Sequence, residues 1–250
     1  MGRSLLGAGG IVCFASLAAD GAAPGPAFEV ASIKAHVQGP LNGPYERAGI
    51  EDNAAGIRIE NLSLRTVIEI AWQVRDFQLV GPGWLRSARF DIDGKPPAGY
   101  KHEQLQPMLQ RLLEERFKLA LHHESKSMTA YFLVVAKGGP KFGEAAGPRG
   151  FFTARPGLIS GTRVSMSEFV NAMAGMLGRP VVDKTGLTKA YDLKLAWMPD
   201  DGSTRDSDGA EPGPSFFTAI QEQLGLRVKS GKARVDIVVV DRVARVPSEN

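Results

Sequence analysis

Cysteine is almost absent from this 250-residue chain, where Cys13 is the only one. No intramolecular disulfide can form, so the fold must hold together by its core rather than by cross-links. Long hydrophobic runs are missing too. A spanning helix takes about 20 apolar residues, and no segment beyond the N-terminus offers them. Charge of one sign is also lacking: 30 Lys and Arg stand against 27 Asp and Glu, a net +3, with both signs interspersed. Without a basic block or a recognisable motif, nucleic acid is not an expected partner.

Catalytic and metal signatures are equally sparse. The histidines are His36, His102, His122 and His123, with no H-E-x-x-H among them. His122 and His123 are adjacent, and neighbours on a strand point to opposite faces, so they do not readily chelate one ion. There is no G-x-S-x-G elbow and no Ser-x-x-Lys, which removes the usual esterase and penicillin-binding arguments. Asp91 and Asp192 each follow an aromatic residue, and they read as strand-flanking acids rather than a glycosidase pair. Trp72 and Trp197 read as core; Trp84, in a Gly-Pro-Gly-Trp turn, is placed to present a binding surface or to pack over the helix, and packing is the expectation. No residue is assigned as catalytic, cofactor-binding or metal-ligating, and no cofactor is implied.

What is present begins at the N-terminus. Arg3 precedes an uncharged stretch from Ser4 to Ala19, then small residues, Pro24 and Pro26. This is the layout of a secretory leader over residues 1–21, with cleavage after Ala18, Gly21 or Ala23, the last disfavoured by Pro24. Val12 before Cys13 is not small, so a lipoprotein anchor is not expected. The mature chain is expected to be extracytoplasmic, periplasmic or secreted, and free of thiol chemistry.

The middle of the chain resembles its end. "GIRIENLSLRTVIEIAWQV" from Gly56 and "GLISGTRVSMSEFVNAMAGML" from Gly157 each give an extended run, then apolar–Ser–apolar, then a helical pattern. Leu64, Val67, Ile68, Ala71 and Trp72 fall at helical spacing in one, and Met166, Phe169, Val170 and Met173 in the other. Ser63 and Ser165 suit the N-cap. "RFDIDGKPP" parallels "AYDLKLAWMP", strands that stop at proline. A second helix follows in each, lined by Leu105, Met108, Leu109, Leu112 and Leu113, or by Phe216, Phe217, Ile220 and Leu224. Two strands then close each unit. The expected fold is α+β: a tandem pseudo-repeat of strand–helix–strand–strand–helix–strand–strand units with helices on small mixed sheets. The units are expected at 27–142 and 158–246, with an extra strand "FEVASIK" at 28–34, a Gly/Pro-rich linker at 143–157 and a mobile loop at 199–214.

"VVDKTGLT" (Val181 to Thr188) holds the DKTG of P-type ATPases and the KTG of penicillin-binding enzymes. Leu187 stands where the ATPase motif has Thr, and the other motifs of both families are missing. Gly186 can take positive φ and Asp183 can bond the backbone ahead of it, so the stretch reads as a turn.

Together "FEVASIK", "NLSLRTVIEIAW", "GPGWLRSARFDIDGK", "RLLEERFKLALHHESK", "YFLVVAKGGPK", "GRPVVDKTGLTKAYDLKLAW", "SFFTAIQEQLGLRVKSGKARVDIVVVDRV" and the closing "PSEN" resemble a family of exported soil-associated proteins of unknown function, abundant in Acidobacteria. The resemblance implies no assigned activity or catalytic residue, and it places DKTG as a turn. The repeated units also resemble, at the level of fold, the short N-terminal domains of secretins and TonB-dependent receptors, which dock other envelope proteins. The expectation is a non-catalytic docking module for another envelope protein, engaged by an open strand edge or by a cleft between units. A secreted hydrolase is the rival, and a cleft with converging acids of raised pKa would favour it. The genomic company of relatives implies a third role, as accessory to an antibiotic-sensing membrane metallopeptidase.

Overall fold

The computed structural model describes residues 26–37, 48–53, 56–199 and 214–248. The expected leader at 1–21 and almost all of the expected loop at 199–214 lie outside them. The architecture is α+β. In the first half, β1 (Val30–Ala35), β2 (Gly49–Asn53), β3 (Gly56–Ser63) and β5 (Arg89–Lys95) form an antiparallel sheet of order β1-β5-β3-β2. Helices α1 (Leu64–Ala71) and α2 (Leu105–Phe117) pack on that sheet, with Val67, Ile68, Leu109 and Leu113 in one core with Ile59, Phe90 and Ile92.

The second half has the same order of elements. The strands β7 (Gly143–Glu144), β8 (Phe151–Arg155), β9 (Leu158–Ser165) and β11 (Ala190–Ala196) make a sheet of order β7-β11-β9-β8. Helices α3 (Met166–Leu177) and α4 (Phe216–Leu224) contribute Phe169, Met173, Ile220 and Leu224 to its core. Ser63 and Ser165 cap α1 and α3 as the sequence indicates: Ser63 accepts from the Thr66 amide and Ser165 from that of Glu168. Ser215 caps α4 in the same way. Phe217, expected in the core, is 45% exposed and leans on the Tyr131 ring, 5.7 Å between centroids.

Residues 143–157, expected as a linker, contain β7 and β8. These strands pair through their backbones while their side chains stay exposed, so no apolar alternation marks them. The strand at 28–34 has its place as β1, and β7 lies on β11 where β1 lies on β5.

The two closing strands expected in each unit are one continuous strand each: β6 (Ala120–Val135) and β12 (Leu226–Arg242). No Gly or Pro interrupts β6. Gly231, which reads as a break in β12, pairs with Ala130 and is covered by the Phe132 ring. The two strands pair antiparallel along almost their whole length. On this ribbon β4 (Leu79–Val80) adds parallel to β12 and β10 (Val181–Asp183) parallel to β6, giving the order β10-β6-β12-β4.

Each long strand therefore serves both halves. Leu121 from β6 and Val238 and Val240 from β12 join the first core, whereas Leu133 and Val135 from β6 and Leu226 and Val228 from β12 join the second. Between the cores the ribbon is polar, and His122 to Ser127 are all exposed. Fragments 26–142 and 143–250, made separately, should lack cooperative thermal unfolding by far-UV circular dichroism and regain it on mixing. A cooperative transition in 26–142 alone would show that the exchanged strand ends are dispensable.

Candidate binding cleft

A cleft of about 770 Å³ opens between the halves. One wall is α1 and the connection that follows it, through Glu69, Val74, Arg75 and Asp76. The other is α3 and β10, through Asn171, Gly175 and Val181, with Arg234 and Val235 of β12 also lining it.

The first wall is positioned by a buried arginine. Arg65 sits one residue into α1 among apolar neighbours and is only 6% exposed. Its guanidinium donates to the Asp76 carboxylate (2.5 Å), to the Asp76 carbonyl (2.5 Å) and to the Leu79 carbonyl (2.7 Å). The connection 72–79 is thereby tied to α1, and β4 is set at the ribbon edge. Gln78 adds a bond from its side-chain amide to the Asp236 carbonyl on β12 (3.0 Å). A buried guanidinium is stable only with such partners, because desolvating it alone costs several kcal/mol, on the order of a buried ion's penalty.

Two carboxyl groups meet at this arginine, and their environments push them apart. Arg86 reaches both oxygens of Asp76, at 2.8 and 3.0 Å, and with Arg65 holds that carboxyl below the usual range. Burial pushes the Glu69 carboxyl up; Arg65 pulls against this and the charge of Asp76 adds to the rise. Glu69 Oε1 is buried without a hydrogen bond, although Arg65 Nε lies 3.0 Å away. That N–H is directed at Asp76, so the Glu69 contact is an ion pair rather than a hydrogen bond.

Arg75 crosses the cleft. Its guanidinium donates to the Asn171 carbonyl on α3 (3.2 Å) and lies where a side chain on Gly175 would be, 3.1 Å from an added Cβ. It also borders a second groove of about 630 Å³, lined by Phe152, Pro156 and Met176. Arg234 faces the cleft from the ribbon and has no ion-pair partner among the described residues.

The residues singled out in the sequence lie elsewhere. Asp183 ends β10 and accepts from the Thr185 amide (2.8 Å) and hydroxyl (2.7 Å); Thr185 in turn accepts from the Leu187 amide (3.1 Å), and Gly186 has φ +73°. DKTG is a side-chain-tied turn. Asp91 and Asp192 stand opposite matching bulges. Asp91 accepts from the amide of Asn61 (2.8 Å) and Asp192 from that of Arg163 (3.0 Å), and both donors are left-handed, at φ 51° and 57°. Each carboxylate steadies a backbone conformation that L-residues disfavour. His36 pairs with Asp91, His102 with Asp52 and His122 with Asp241, in three separate places. Trp72 and Trp84 pack on the first core and Trp197 on the second.

Sequence reasoning missed Arg65, Glu69, Arg75, Asp76 and Arg234. The available signal was weak: Arg65 and Glu69 are spaced i, i+4, which ordinarily marks a solvated pair. What the signal lacked was the neighbourhood, since Arg65 lies between Leu64 and the apolar positions of the same helix.

The fold and site define a class, an α+β protein whose halves share one mixed sheet and enclose a charged cleft. The chain belongs to the protein family of unknown function DUF3738, whose profile matches residues 65–243. No curated protein and no solved structure matches it.

Asp76→Asn should lower stability by about 1–3 kcal/mol at pH 7, the range for charge-assisted hydrogen bonds, with the half-exposed carboxylate favouring the lower part. Because the folded-state pKa of Asp76 is depressed, its contribution is complete above the unfolded value near 4 and is lost as pH falls through the lower folded value. Denaturant titrations should show the gap between wild type and variant closing below about pH 4. A gap that stays constant into acid would contradict the clamp.

Proposed function

We propose that this protein is an exported, non-catalytic docking module that receives an extended segment of another envelope protein in the cleft between its halves. The observation that carries this is the make-up of the cleft. Its acids are occupied by Arg65 and Arg86 from behind, while Arg75 and Arg234 face the opening beside Val74, Val181 and Val235. Apolar contacts with two cations suit a peptide that carries acidic and apolar residues. Export rests on the Arg3-led leader at 1–21. We propose further that the halves are copies of one unit, supported by their matching sheet orders, the Ser63 and Ser165 caps and the two Asp-tied bulges.

One observation favours the hydrolase instead, since Glu69 is shifted upward beside a lowered Asp76, and separated carboxyl pKa values mark acid–base pairs. Against it, arginines bond both Asp76 oxygens and hold that carboxyl below the usual range, which makes it a weak base toward a water. Hydrolysis of a soil polymer by wild type that disappears in Glu69→Gln would move the assignment to the hydrolase.

The docking reading is tested with tagged protein from Ala19 onward in native envelope extract. Saturable capture of one envelope protein should be lost in Arg75→Glu and Arg234→Glu and kept in Lys194→Glu, an equal charge change at an exposed position of β11. Capture indifferent to both cleft variants, or none by folded bait, overturns it. Intact mass of the protein from native envelope should show the leader removed; a retained Met1 refutes export.

A further inference from the structure

The central ribbon leaves part of an edge uncovered. On β6, the Tyr131 amide donates to the Pro180 carbonyl and the Leu133 carbonyl accepts from the Lys184 amide, both at 2.8 Å, so these odd-numbered residues turn their backbone groups away from β12 toward β10. Strand alternation carries the same orientation back to Thr129, Ser127, Ser125 and His123. Among the described residues, no strand pairs with that side of β6 before Tyr131. The side chains from His122 to Ser127 are exposed, so the edge is a template for another strand.

The residues on this edge select the partner. In an antiparallel pairing about a twofold axis at Ser125, residue 124 of one chain lies opposite residue 126 of the other. Glu124 then faces Lys126 twice, on one side of the sheet, in positions where the narrow pair brings side chains closest. His123 faces Ser127, and small Ser125 sits on the axis. Shifting the axis to Ser127 sets Lys126 against Met128, and shifting it to His123 sets Glu124 against His122, which is already bonded to Asp241. Only the Ser125 register pairs opposite charges that are otherwise free of ion pairs among the described residues. Edge lysines normally discourage pairing; here Glu124 of the second copy would neutralise Lys126. The free edge is bounded by β10 from Tyr131 at one end and by the left-handed Lys118, φ 52°, before Ala120 at the other, so a ladder about Ser125 extends no further than from Leu121 to Thr129 and stays short.

We infer that this protein forms a twofold dimer by joining the outer edge of β6, around Ser125, to the same edge of a second copy. The interface is isologous, since each chain offers the same patch. It borders the cleft, since Lys126 pairs with Val235 and Ser127 with Arg234, but its argument does not depend on the docking reading. Two charge pairs at an exposed edge and a short ladder make it a weak dimer.

Sedimentation velocity on the full chain, at concentrations up to about 1 mM, where association of about 4 kcal/mol is detected, tests this by charge exchange. Wild type should dimerise. Glu124→Lys and Lys126→Glu should each be monomeric, since each sets like charges opposite. The double variant E124K/K126E should dimerise again. Both positions are exposed, and unchanged far-UV dichroism would show the singles are folded. A wild type that stays monomeric, or a double variant that does not recover, overturns the inference.

Discussion

The rest of the structure depends on the pairing of β6 with β12. Neither half has a complete core without it, because each long strand lays one end into the first core and the other end into the second. Leu133 and Val238 are both about fully buried, and each lies in the core opposite to the half that its sequence position suggests. Apolar burial of this kind is worth roughly 1.5–3 kcal/mol per side chain, so the halves are joined by the same force that folds each of them. A covalent tether alone would allow the halves to move as separate bodies; a shared sheet does not.

The same ribbon explains why a cleft exists. Between its apolar ends it carries exposed polar residues from His122 to Ser127, and these keep the two cores from merging into one. The gap so created is walled by the connections that follow α1 and α3. Those connections carry β4 and β10 to the ribbon, so the wall residues are fixed by sheet hydrogen bonds at one end and by a helix at the other. Arg65 strengthens this on the first side by bonding two backbone carbonyls of the connection. On the second side the Asp183 and Thr185 turn does comparable work with short side chains.

Much of the fold was legible. Helical spacing picked out the buried faces of α1, α2 and α3, and hydroxyls at Ser63 and Ser165 marked where two of them start, because capping is a local interaction. The paired Asp91 and Asp192 were visible as a pattern, although their role at the bulges requires knowing which backbone amides turn inward. Strands β7 and β8 were not legible: they are edge strands with exposed side chains, and backbone pairing leaves no trace in side-chain alternation. The continuity of β12 was hidden by Gly231, whose strand conformation is secured by an aromatic ring from the neighbouring strand. The cleft was the least legible part. It is made by residues about a hundred positions apart, as Arg75 and Asn171 are, and no local pattern encodes that meeting.

The strand pairing also sets an order of events. His122 bonds to Asp241, 119 positions further along the chain, and β6 has no long partner until β12 has been made. Contacts so distant in sequence close large loops before they return any stabilisation, and proteins dominated by them fold slowly. A chain emerging N-terminus first would hold β6, with its Val, Leu and Phe side chains, beside no strand longer than the three-residue β10 until β12 arrives. Folding of this ribbon therefore waits until β12 has been made, and β6 is the segment that a chaperone would have to shield in the interval.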